Sequence, residues 1–121
     1  METTVLAKQQ AAYNLGMVKP IFQVLSQHPK LPISKIEYKG LKLEFAKPYI
    51  MTVKIEGEYL VHENMRMNVI VRGVTLEEVV EEFFAEMYCL WHDIVLEDEK
   101  KLHSSAIRLK EYLVSIAREV G

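Results

Sequence analysis

The sequence predicts an α+β domain: an antiparallel sheet of four to five strands packed against one long helix, with a C-terminal helix and an N-terminal helical segment. Three observations predict it. Between Ile36 and Arg72, apolar and polar side chains alternate in short runs separated by turn residues. From Thr75 to Val95 apolar side chains recur at helical spacing behind a capping residue. A second helical pattern follows a polar loop and starts at Ser104 or Ser105.

The long helix is the clearest element. Thr75 and Glu78 have the spacing of a capping box, in which the hydroxyl accepts from the third helical N–H and the carboxylate reaches back. At 100° per residue, the apolar positions between Leu76 and Val95 fill an arc of roughly 160°. Glu78, Glu82, Glu86, Cys89 and Asp93 fall opposite. A single sheet face needs only about 100°. The helix is therefore expected to have two apolar neighbours, the sheet and another helix or subunit.

Before it come the strands. Ile36 and Tyr38 lead through Lys39-Gly40 into Leu41, Leu43 and Phe45, a hairpin with one buried face. Lys47-Pro48 is expected to break the chain before a new strand, Tyr49 to Ile55. Gly57-Glu58 turns it into Tyr59–His62, and a last strand is expected from Met65 to Arg72. Tyr38, Tyr49 and Tyr59 are read as in phase with the core. The second face, with Ile50, Thr52, Lys54, Arg66, Asn68 and Ile70, is half polar. The final helix is expected to reach about Glu119, with Ala106, Leu109, Tyr112, Leu113, Ile116 and Val120 inward.

Residues 1–30 read as an N-terminal helical segment or arm, and 31–121 as the α+β domain, within a single domain. Leu15, Val18, Phe22 and Leu25 keep helical spacing, and Pro20 suits the first turn of a helix to Gln27. Met1–Asn14 is either a second short helix or an arm that exchanges between subunits.

The chain has 121 residues, 50% hydrophobic and 26% charged, which suits one soluble domain with its own core. The net charge of −2 argues against a general attraction to nucleic acid or anionic lipid. Residues 1–74 carry 10 Lys/Arg against 6 Asp/Glu, and residues 75–121 carry 5 against 11. Solvated strands and an acidic helix face account for that split. One cysteine excludes an internal disulfide or a cysteine-rich zinc site. The first ten residues lack a basic start followed by an apolar run, and no apolar stretch approaches the roughly 18 residues of a membrane span. The expectation is a cytoplasmic protein without a membrane segment.

Signals for chemistry are few. Arg72-Gly73-Val74-Thr75 sits where a phosphate loop would, with a single glycine in place of a cluster. His92 and His103 are weak metal candidates near the end of the long helix, without HxxxH or HExxH spacing. Cys89 has Glu82, Glu86 and Asp93 as helical neighbours, and carboxylates blunt a thiol. Glu77, Glu78, Glu81 and Glu82 read as a solvated face. No cofactor and no catalytic residue is expected. A helix-mediated homodimer is expected through Phe84, Trp91, Val95, Ile107 and Val114, because Ile107 and Val114 lie off the main face of the last helix.

One stretch resembles a known family. Tyr49–His62, the strand Met65–Val71, and then Gly-Val-Thr-Leu-Glu-Glu-Val-Val-Glu-Glu-Phe are similar to HicB-type antitoxins. The matching positions are Gly57, Gly73, Thr75, Leu76, Glu77, Glu78 and Val79, within about residues 49–85. The resemblance implies a three-stranded sheet backed by a helix, in a module that binds a small toxin-like protein. The loop Glu63-Asn64 departs from the family's Pro/Gly-rich acidic loop, and a helix replaces the family's next strand. The preferred reading is a non-catalytic protein-binding module. The alternatives are a self-assembling structural subunit and a small ligand-binding or enzymatic domain.

Overall fold

The computed structural model describes residues 29–121. It is an α+β domain with a five-stranded antiparallel sheet. Strands β1 (Lys30–Tyr38), β2 (Leu41–Glu56), β3 (Tyr59–Asn64) and β4 (Val69–Gly73) lie in that spatial order. Helix α1 (Leu76–Leu90) runs into a π-helical turn, Trp91–Val95. A 3₁₀ turn (Glu99–Lys101), helix α2 (Ser104–Ile116) and strand β5 (Ala117–Glu119) complete the chain. The N-terminal helical segment expected over residues 1–30 lies outside the described residues, apart from Pro29 and the start of β1. Among the described residues no helix is long and apolar enough to cross a membrane.

Local chemistry explains the turns. Lys39 and Gly40 both have positive φ, 48° and 86°, as a two-residue I′ hairpin loop requires. Gly57, at φ 62°, opens the second hairpin. The third turn differs from expectation. Met65 does not begin a strand: Met65–Asn68 form a turn, closed by Asn68 N–H donating to the Met65 carbonyl at 3.1 Å. Asn68 takes φ 59°, which asparagine tolerates. Met65 is therefore 72% exposed while Met67 is fully buried.

Lys47-Pro48 does not break the chain either. β2 is one strand of 16 residues with a bulge. Ile33 faces Tyr49 and Lys35 faces Glu44, so one residue of β1 spans the same gap as four of β2. Pro48 sits in this bulge, where a missing N–H costs no ladder bond. Inward alternation survives on both sides, with Leu41, Leu43, Phe45, Met51 and Val53 buried.

The core lies between this face and the helices. α1 starts against β4 and ends beside β1, where Tyr38 and Tyr88 meet edge to face at 5.7 Å. Its buried side chains are Val79, Phe83 and Met87, and Trp91 continues the row at the next turn. The helix start forms as the capping spacing predicts: Glu78 N–H donates to Thr75 Oγ1 at 3.1 Å. The Glu78 carboxylate accepts from Val74 N–H at 2.7 Å. That reach demands closeness at Gly73, where an added Cβ would stand 2.5 Å from Glu78 Cβ. Gly73→Ala is expected to lower stability by about 1–3 kcal/mol through forced separation of strand and helix. Urea unfolding followed by circular dichroism measures it.

The last helix stops earlier than its pattern suggests. α2 ends at Ile116, and Ala117–Glu119 pair with Phe45–Leu43 of β2. Arg118 and Glu44, opposite one another in this pairing, bridge at 2.8 Å. α2 contacts the Trp91–Val95 turn, β2 and β5. The breadth of apolar surface on residues 76–95 thus serves two neighbours, with the sheet under α1 and α2 against the π-helical turn.

Candidate functional site

A strand has two edges, and β1 occupies one edge of β2 along both halves. The other edge is shared. β5 pairs with Leu43–Phe45, and β3 pairs with Val53–Glu56. Between them, residues 46–52 of β2 border a notch in the sheet. The bulge directs the strand around it, and the two short partners leave it open.

Side chains crowd this notch. An open groove of about 330 Å³ is lined by Phe45, Lys47, Tyr49, Ile50, Tyr112 and Ile116, among others. Tyr49 stacks on Phe83 with ring centres 4.8 Å apart, and on Phe45 at 5.5 Å. The Arg66 guanidinium, from the turn after β3, lies 3.9 Å over the ring of Tyr112 on α2. A cation over an aromatic face is favourable, so this contact ties the turn to the helix across the groove.

The inner wall holds a polar relay. His62 is 3% exposed, the one buried polar residue described, and sits at an inward position of β3. Its Nδ1 is 2.9 Å from the Thr52 carbonyl, which can only accept, so Nδ1 carries the proton. Nε2 of the neutral ring then accepts from the Tyr49 hydroxyl at 2.7 Å. Asn64 Nδ2 donates to the same hydroxyl at 2.9 Å, and Asn64 Oδ1 accepts from Met67 N–H at 3.1 Å. Each donor has an acceptor, as buried polar groups require. The Phe83 ring stands edge-on to the imidazole at 5.5 Å.

Burial sets the protonation of both groups. It pushes the His62 imidazole below its ordinary value, against the opposing pull of the Thr52 bond and the Glu63 carboxylate. Burial also raises the Tyr49 phenol; the Asn64 hydrogen bond offsets part of this and nearby Tyr112 adds to it. Both groups are neutral near pH 7. For His62, the unfolded chain binds more protons once the pH falls below about 6.5, so stability is full above that value and declines below it. For Tyr49, the unfolded chain ionises first above about pH 10, so stability declines as pH rises further. A chemical-denaturation series is expected to show a plateau between these limits and loss on both sides.

Chemically, the relay positions rather than transfers. It ends in a backbone carbonyl and a carboxamide, neither of which passes on a proton at neutral pH. Both imidazole nitrogens are committed within the chain. No base is therefore presented to a substrate.

The residues singled out from the sequence lie elsewhere. His92 is exposed, its ring tilted against Tyr88 with centres 4.3 Å apart and Nδ1 3.1 Å from the Tyr88 carbonyl. His103 is exposed ahead of α2. Among the described residues no group of three or more His, Cys, Asp or Glu side chains converges to hold a metal. Of the five interface candidates, Trp91 is 4% exposed and belongs to the core, so its ring is not offered to a partner. Phe84 and Val95 pack partly against the same core, Ile107 is half-buried, and Val114 is 51% exposed. Tyr59 also departs from expectation: it points outward, 44% exposed, with the Arg72 guanidinium 5.1 Å from its ring centre.

Sequence reasoning missed the relay. Its one signal was a histidine in the inward register of a strand, two residues after Leu60. The partners, Tyr49 and Asn64, lie 13 and 15 positions apart from His62 and Tyr49 respectively, and only the fold brings them together.

No family model matches the chain, and neither a search of curated proteins nor one of solved structures finds a match.

Proposed function

We propose that the chain is a non-catalytic protein-binding module of the HicB-like antitoxin type, and that it works as a homodimer. The observation that carries this reading is the outer face of the sheet. Strand pairing places Ile50, Ile70 and Tyr59 on the side away from α1, and Val74 follows β4 at an exposed bend. Their exposures are 52%, 60%, 44% and 62%. Charged residues run between them: Lys54 bridges Glu63 at 3.2 Å, and Lys54 and Arg72 flank Val61. Apolar anchors with a charged surround suit a protein partner better than a small ligand. The chain's polar cluster, in contrast, is turned inward and internally satisfied.

The family resemblance fits the same reading. Strands β2, β3 and β4 with α1 make a three-stranded antiparallel unit backed by a capped helix. Gly57 turns its hairpin, and Gly73, Thr75 and Glu78 build the helix start. β1, β5 and α2 are additions to that unit. The partner surface moves from the helical side, where Trp91 is buried, to the outer sheet face. Light scattering is expected to report a dimer, and Ile50→Glu with Ile70→Glu is expected to give a folded monomer. Affinity purification from the native cell, read by mass spectrometry, tests for a small basic partner. A strict monomer at high micromolar concentration would refute the dimer. Retention of every partner by the double variant would refute the surface.

A further inference from the structure

We propose that His62 is an acid-operated latch: it fastens β2 to β3 where their backbone ladder stops, and its protonation releases Tyr49 and opens the notch. This does not depend on what the chain binds.

The ladder between these strands runs from Glu56↔Tyr59 to Val53↔His62 and ends there. One step further, continued pairing would set Thr52 against Glu63. In its place the His62 side chain takes the Thr52 carbonyl, and Tyr49, three residues back along β2, is held by His62 and Asn64. Side chains thus do the work of backbone pairing over the free stretch of β2. A side-chain clasp differs from a backbone ladder in one respect, which is that it titrates.

The wiring makes protonation disruptive. An imidazolium has donors at both nitrogens and no acceptor. Nδ1–H keeps the Thr52 carbonyl. Nε2–H would then point at the Tyr49 oxygen, which already accepts from Asn64. The Tyr49 hydroxyl proton loses its acceptor, and the Asn64 atom that faces it is the Nδ2 donor, with Oδ1 turned to Met67 N–H. The phenol then turns towards water. It lines the groove, so its way out is short.

The surroundings do little to stabilise the cation. From β3, the Glu63 carboxylate favours it, but Glu63 is engaged by Lys54 of β2 at 3.2 Å. From α2, Tyr112 carries the Arg66 cation on its face. Lys47 adds a further positive charge at the groove. α1 offers the Phe83 ring edge, and β4 places Val71 opposite His62. Burial outweighs the pull of Glu63 and the Thr52 carbonyl, and so opposes the cation.

Amide hydrogen exchange on the full chain, resolved by NMR between about pH 7.5 and 5, tests the latch. After correction for intrinsic rates, exchange at Lys54 and Val61, paired across β2 and β3 beside the latch, is expected to rise with acid, by up to about tenfold per pH unit once the imidazole titrates. Phe83 and Met87 amides, within α1, are expected to stay protected. His62→Gln keeps one donor and one acceptor without titrating, and is expected to abolish the acid response. No local acceleration in the natural chain, or the same acceleration in His62→Gln, overturns the proposal. Acceleration of Phe83 and Met87 in step with Lys54 also overturns it, because that is global unfolding; this readout decides even where the variant fails to fold.

Discussion

Phe83→Ala is expected to remove about 3–5 kcal/mol of stability, a large share of the roughly 5–15 kcal/mol that holds a domain together. Phe83 has no solvent exposure, and its ring does three jobs. It fills the space between α1 and the sheet, stacks on Tyr49 at 4.8 Å, and meets the His62 imidazole edge-on at 5.5 Å. Truncation therefore leaves a cavity and frees the relay together. Phe83→Leu separates these effects. It restores most of the volume without the ring, and the remaining loss should approach the roughly 0.5–1.5 kcal/mol typical of an aromatic pair. Urea unfolding read by the fluorescence of Trp91, the sole tryptophan, measures both variants. A Phe83→Ala midpoint close to that of the natural chain would contradict the packing described.

Trp91→Ala should cost a similar amount, about 3–5 kcal/mol, for a different reason. Trp91 joins elements far apart in sequence. It begins the π-helical turn, where Leu96 N–H donates back to the Trp91 carbonyl at 2.9 Å. Its indole N–H donates to Glu119 Oε1 at 3.3 Å, on β5. Loss of the ring removes core volume and one tie that holds the C-terminal strand near β2. Circular dichroism replaces fluorescence here, since the variant has no tryptophan. Amides of β5 should lose protection before those of β3 and β4. Trp91→Phe retains most of the apolar volume and loses the hydrogen bond, so its deficit should be the smaller.

Both predictions concern side chains that the sequence put on one apolar stripe without naming their neighbours, and Trp91 was expected to face a partner and not the core. Phe83 and Trp91 fall on the apolar stripe that begins at Leu76, and a period of 3.6 residues is enough to place them inward. Neither Tyr49 nor His62 is named by that period. Each sits in the inward register of its own strand, and the contact between them needs the hairpin, the bulge and α1 together. The same limit produced the errors along the chain. Lys47-Pro48 reads as a break because proline disrupts a ladder, yet a bulge accommodates it within one strand. Met65 shares its alternation with Met67, yet the turn ending at Asn68 exposes it. The α2 pattern runs on towards Val120, but pairing with β2 draws Ala117–Glu119 out of the helix.

Local chemistry, then, was sufficient for the parts that neighbouring residues decide. The alternating strands, the Lys39-Gly40 turn, the cap at Thr75 and the α+β class all depend on contacts a few positions apart, and their rules act on the sequence directly. The notch, the relay within it and the outer face of the sheet depend on which strand stops where. β5 and β3 are each too short to cover the shared edge of β2, and no run of residues records that shortfall. It exists only once β3 and the C-terminal β5 meet on one strand. At that point His62, an unremarked histidine in an ordinary hairpin, becomes the group that closes the gap.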